Sequence, residues 1–208
     1  MTRVIYLHGL ASGPSSSKAR FFREYLGAAG VDLEVPELDG GDFEHLTVTG
    51  QLAVVERCAG GRPVSLIGSS LGGYLAALYA ARHAEVSRVV LLAPAFGFAR
   101  RWVERLGPLQ VEEWCLKGAM EVFHYGAKEN RKLGWELLAD AADYEEFPDF
   151  RQPVMIFHGA HDDVVPARYS QEFAASHPDV ELEILDSGHE MLNVLELMGP
   201  RVLEFLRG

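Results

Sequence analysis

The sequence predicts one α/β domain, a mainly parallel sheet of about six strands with helices on both faces. Short apolar runs of strand length alternate with segments of helical spacing along most of the chain. Several of those runs stop in turns rich in glycine, serine and histidine, at the strand ends where open α/β sheets bind ligands. With 208 residues and 48% hydrophobic content, the chain is long enough to bury one substantial core.

The elements follow in order. A first strand over 3–7, Arg3-Val4-Ile5-Tyr6-Leu7, runs into His8-Gly9-Leu10, and Ser16 to Ala29 then reads as a helix. A strand near 32–36 precedes a helix from Glu44 to Ala59. The run over 63–67, Pro63-Val64-Ser65-Leu66-Ile67, reads as a buried strand, and Leu71 to His83 as a buried helix rich in small residues. After a strand near 87–93 the rhythm breaks. From Phe96 to Phe150 no strand is evident, while helical spacing is strong in 100–106 and again in 129–138. A strand over 153–158, a helix over 168–176, a strand over 180–185 and a helix over 191–206 complete the chain. The last helix carries an apolar strip, Leu192-Leu195-Met198-Val202-Leu206, suited to cover the sheet or a partner.

The segment Gly68-Ser69-Ser70-Leu71-Gly72 is G-x-S-x-G set between a strand and a helix, the context in which this motif holds a nucleophile. Ser70 would sit in strained backbone on a sharp turn, and its flanking glycines let strand and helix approach closely. Its position at a helix N-terminus favours developing negative charge. The motif alone is weak in a chain with 21 glycines, where a turn of small residues is the plain alternative. A serine hydroxyl also needs a histidine to take its proton and a carboxylate to orient that histidine.

Two later loops could supply them. The strand at 153–158 runs into His158-Gly159-Ala160-His161-Asp162-Asp163-Val164-Val165-Pro166, and the strand at 180–185 into Asp186-Ser187-Gly188-His189. With these motifs the chain resembles the α/β-hydrolases, in a minimal form lacking the first two antiparallel strands. Within them it is similar to the small bacterial YqiA-like esterases, whose first loop reads similarly to His8–Lys18. The resemblance implies Asp162 as the triad acid, three residues after Gly159, and His189 as the general base. Asp163 is the near rival, one register along, with Asp143 and Asp186 behind it. The resemblance also implies that the backbone N–H groups of Leu10 and Leu71 hold an oxyanion, and that His8 braces its loop.

At the place of residues 97–150, hydrolases often carry a helical cap over the serine. This segment holds Trp102, Trp114, Phe123, Tyr125 and Trp135, with Phe96 and Phe98 at its entrance. Aromatics on helices are most often core, yet some of this group should face a substrate pocket, for which Phe96, Phe98, Trp102, Trp114 and Trp135 are the candidates.

A formal net charge of −11 argues against binding nucleic acid or an anionic membrane surface. No run approaches the ~18 apolar residues of a membrane span, and no signal segment opens the chain, so a cytoplasmic protein is expected. Two cysteines, Cys58 and Cys115, make no disulfide framework. No zinc or phosphate-loop pattern appears, so neither a metal nor an organic cofactor is implied. The expectation is a serine hydrolase cleaving esters or thioesters of small to medium apolar acyl groups. A peptidase, a C–C bond hydrolase or perhydrolase, and a ligand-binding protein with an idle triad are the alternatives.

Overall fold

The computed structural model describes residues 3–208. Six strands form one parallel sheet: β1 (Arg3–Leu7), β2 (Asp32–Glu34), β3 (Val64–Ser69), β4 (Val86–Leu92), β7 (Val154–Gly159) and β8 (Val180–Leu185), in the order β2-β1-β3-β4-β7-β8. Alternate residues serve opposite faces. Ile5, Leu7, Leu66, Val89, Leu91, Val154 and Ile156 enter the larger core, and Val4, Tyr6, Ile67, Val90, Leu92, Met155 and Phe157 the smaller one. Burial on both faces is why the inner strands β1, β3, β4 and β7 read as apolar runs, while the edge strands β2 and β8 are partly exposed and β8 alternates.

Helices α1 (Ser17–Ala28) and α7 (Leu195–Arg207) cover the smaller core. Most of the apolar strip of the last helix is thereby used within the molecule, with Met198, Val202 and Leu206 buried and Leu195 partly so, while Leu192 is exposed. A short 3-10 turn, Leu192–Val194, precedes α7. The opposite face carries α2 (Val48–Ala59), α3 (Leu71–Ala80) and α6 (Arg168–Ser176). Helix α2 begins later than the spacing suggests because Thr47 caps it, its Oγ1 accepting from the Gly50 amide at 2.9 Å.

Every residue of α3 is buried. It lies so close to the sheet that a Cβ on Gly72 would stand 2.1 Å from the Leu7 carbonyl oxygen, and one on Gly68 2.3 Å from the Gly72 oxygen. The glycines of the motif are therefore steric requirements of the packing.

The segment expected to be helical throughout is mixed. Helix α4 (Phe98–Lys117) breaks at Gly107, whose φ is 75°, ahead of Pro108. Then β5 (Ala119–His124) and β6 (Glu129–Gly134) pair as an antiparallel hairpin, followed by α5 (Glu136–Ala141). This corrects two expectations, the absence of strands between 96 and 150 and the helical reading of 129–134, while 136–138 do fall in a helix, α5. Residues 129–132 are exposed and polar, so their strand state comes from pairing with 121–124 and not from a local hydrophobic period.

Candidate active site

Ser70 stands between the end of β3 and the start of α3 with φ 54° and ψ −118°, a conformation a non-glycine residue adopts at a cost of order 1–3 kcal/mol. Its own peptide groups hold it there. The Ser70 amide donates to Leu92 O at 2.9 Å, and its carbonyl accepts from Ala95 N at 2.9 Å and from Gly73 N and Tyr74 N. The hydroxyl meets a histidine 119 residues further on: His189 Nε2 lies 3.1 Å from Ser70 Oγ.

On the other edge of the ring, His189 Nδ1 lies 2.7 Å from Asp162 Oδ2. Asp162 is almost buried, and its second oxygen accepts from the amides of Val164 at 2.9 Å and Val165 at 2.7 Å. Burial alone would push this carboxyl up. Hydrogen bonds from His158, His189 and the Val165 amide outweigh it and hold the acid well below the usual carboxylate range. Asp162 is thus ionised at neutral pH and fixes a proton on His189 Nδ1, leaving Nε2 free to accept from the serine. Of the rivals, Asp163 is exposed next door, Asp186 bonds the exposed His161 at 2.9 Å, and Asp143 is exposed beyond α5.

His158 joins the site without a role assigned to it from the sequence. It is fully buried, its Nε2 2.7 Å from the Val165 carbonyl and 3.2 Å from Asp162 Oδ2, its Nδ1 2.7 Å from Ser170 Oγ. A carbonyl only accepts, so Nε2 carries the proton and the Ser170 hydroxyl donates to Nδ1. The histidine therefore ties the acid loop to α6. The signal was its place in the His-Gly-x-x-Asp pattern. The acid and histidine loops are also pressed together, since a Cβ on Gly159 would stand 2.5 Å from the carbonyl oxygens of Ser187 and Gly188. Asn193 latches the second loop, accepting from Ser187 Oγ at 2.6 Å and donating to Asp186 O at 3.0 Å.

The loop after β1 lies against the serine, because a Cβ on Gly9 would be 3.4 Å from Ser70 Cβ. Leu10 sits inside a tight turn closed by Ser12 N donating to Gly9 O at 3.3 Å, and Ala11 takes φ 54°. Leu71 opens α3, so its amide is among the first N–H groups of the helix, which have no intrahelical acceptor. His8 does brace this loop: its Nε2 accepts from the Leu38 amide at 3.4 Å and its Nδ1–H donates to Gly9 O at 3.1 Å. Burial pushes the His8 pKa down, which keeps the ring in that neutral form. Lys18, on α1, is nine-tenths buried with its ammonium 4.0 Å from Glu190, and burial lowers its pKa as well.

The aromatic candidates divide. Phe96 is fully buried against Phe147 and Phe173, and Trp114 is buried with its indole N–H on Leu133 O at 2.9 Å. Trp102 packs between Phe98 and Trp114. Phe98 and Trp135 line a cavity of about 360 Å³ together with Tyr74, Val103 and Leu138, and no residue of the Ser70–His189–Asp162 set borders it. Phe123 and Tyr125 lie exposed near the hairpin tip. Among the described residues one set could hold a cation, Glu56, His83 and Glu85, at the far end of α3 from Ser70.

A model of the uncharacterised protein family UPF0227 matches residues 3–207. The chain belongs to that family. Among solved structures, this UPF0227 protein is similar to mouse alpha/beta hydrolase domain-containing protein 10, with 21% identity, 99% of this chain and 88% of that one covered, and a TM-score of 0.82. Est1E from Butyrivibrio proteoclasticus gives 22% identity, 99% and 86% coverage and a TM-score of 0.79. A monoacylglycerol lipase of Paleococcus ferrophilus gives 18% identity, 98% and 93% coverage and a TM-score of 0.78. The fold is that of the α/β-hydrolases. No curated protein matches the chain. Among the described residues of this UPF0227 protein, no helix is long and apolar enough to cross a membrane.

Proposed function

We propose that this protein is a serine hydrolase that cleaves carboxylic esters or thioesters of small to medium apolar acyl groups. The observation that carries the reading is the continuous relay from Ser70 Oγ through His189 to Asp162, at 3.1 and 2.7 Å. Ser70 attacks the acyl carbon as His189 Nε2 takes its proton. The imidazolium so formed is steadied by the ionised Asp162 and then protonates the leaving alcohol or thiol. The Leu10 and Leu71 amides hold the tetrahedral oxyanion, each worth about 3 kcal/mol of transition-state stabilisation. Water, deprotonated by the same histidine, releases the acid from the acyl-enzyme.

Residues 97–150 act as a cap. Two contacts on either side of Ser70 support this: the Arg101 guanidinium of α4 donates to Val164 O in the acid loop, and the turn between β5 and β6 touches the loop after β1. The apolar cavity lined by Phe98 and Trp135 lies within this cap segment and away from Ser70, so the acyl class does not rest on it. The structural relatives include Est1E, which has been seen with ferulic acid bound, and a monoacylglycerol lipase. Hydrolysis of p-nitrophenyl esters from acetate to palmitate, with Ser70→Ala alongside, tests the reading. A serine-dependent rate peaking at one chain length is expected. Equal rates from the wild type and Ser70→Ala would remove the assignment.

A further inference from the structure

The tip of the β5–β6 hairpin, far from the triad in sequence, rests on the loop that carries Leu10. Gly126 N points at Ala11 O at 3.4 Å, a long hydrogen bond, so close packing carries most of this contact. A Cβ on Gly126 would come within 3.3 Å of the Ser12 carbonyl carbon and 3.2 Å of His124 Cε1. No larger residue fits at this spacing without moving one side. The loop needs such support, since Ala11 is buried and holds φ 54°, a region that an alanine rarely adopts.

His124 builds the tip. It closes the turn twice, its carbonyl accepting from Lys128 N at 2.7 Å and its Nδ1 accepting from Ala127 N at 3.0 Å. The ring is nearly buried, edge-on to Phe43 with centroids 4.7 Å apart. With Nδ1 accepting, the neutral ring carries its proton on Nε2, and that buried atom has no partner. An unsatisfied buried N–H costs stability, so the chain spends energy on a turn of this shape. His8 braces the same loop through Leu38.

We propose that His124 and Gly126 are positioning residues that clamp the Gly9–Ser12 turn and so aim the Leu10 amide at the oxyanion. The catalytic half of this proposal rests on the hydrolase reading, and the mechanical half does not. Gly126→Val, the milder Gly126→Ala, His124→Ala and His124→Asn are compared with wild type by two measurements. The first is hydrogen exchange over residues 8–13 relative to the core strands. The second is kcat and KM on p-nitrophenyl butyrate.

Gly126→Val and His124→Ala are expected to speed exchange in 8–13 by about tenfold or more with the core strands unchanged. They lower kcat by ~10–100-fold, as a misplacement on the order of 1 Å does, and leave KM within about twofold. His124→Asn, which keeps an acceptor near the Nδ1 position, regains most of the loss, and a mere packing role predicts no such rescue. Gly126→Ala falls between and serves if the valine variant does not fold. Unchanged exchange in 8–13 overturns the clamp whatever the activity does. Faster exchange with unchanged kcat overturns its catalytic role. A wild type without serine-dependent turnover removes the hydrolase reading and the catalytic half together, while exchange still decides the mechanical half.

Discussion

Replacing Asp162 by asparagine changes one atom and reverses the direction of a hydrogen bond. The amides of Val164 and Val165 both donate to Oδ1, at 2.9 and 2.7 Å, so the asparagine must keep its carbonyl oxygen there. Its NH₂ then occupies the position of Oδ2, 2.7 Å from His189 Nδ1 and 3.2 Å from His158 Nε2. His189 Nδ1 must accept, its proton moves to Nε2, and the atom facing Ser70 becomes a donor that cannot take the serine proton. A loss of ~10⁴ in kcat is expected from this wrong tautomer, or about 5.5 kcal/mol of barrier. The clash of two donors at His158 adds about 1–3 kcal/mol of lost stability. The assay is kcat on p-nitrophenyl butyrate at pH 7.5, with circular dichroism to verify the fold and Asp163→Asn as the parallel control. Retention of more than about a tenth of the wild-type kcat by the folded Asp162→Asn enzyme would refute the tautomer argument, and a matching loss in Asp163→Asn would assign the acid elsewhere.

Further outcomes are expected elsewhere in the molecule. Because the folded-state pKa of Asp162 is depressed, its contribution to stability is fully present above the unfolded carboxyl value near ~3.9 and is lost as the pH falls from there through the lower folded value. The Tm gap between wild type and Asp162→Asn should therefore be constant from pH 5 to 8 and shrink below about pH 4; a gap widening on acidification would contradict the sign. Gly72→Ala places a methyl 2.1 Å from the Leu7 oxygen and should cost about 3 kcal/mol or more, read as a lower urea midpoint or insoluble expression. Ser170→Ala removes the donor to His158 Nδ1 and should cost about 1–3 kcal/mol in urea unfolding, while kcat falls less than about tenfold. A full loss of activity in that variant would mean that Ser170 does more than anchor His158.

The sheet was readable in the sequence because its inner strands are buried on both faces, which leaves continuous runs such as Val89-Val90-Leu91-Leu92. The turn at Ser70 was readable for a steric reason, as Gly68 and Gly72 have no room for a side chain. The hairpin was hidden because Glu129, Asn130, Arg131 and Lys132 face water and their strand state depends on residues 121–124. The choice between Asp162 and Asp163 is made by the turn that turns one carboxylate onto the Val164 and Val165 amides, which two adjacent identical letters do not encode. The aromatics followed the same logic. Whether Trp114 lines a pocket or fills a core depends on Leu133, whose carbonyl takes its indole proton.

The relay that joins Ser70 to His189 spans 119 positions of the chain, and the one that joins His189 to Asp162 spans 27. Between them stand β4, the hairpin and β7, so the two ends meet after β3, β7 and β8 have taken their places in the sheet. Closing loops of this length is slow and is rewarded late in assembly. On the proposed reading, nucleophilicity at Ser70 is a property of the finished sheet, and the return of serine reactivity during refolding would time the last step of its construction.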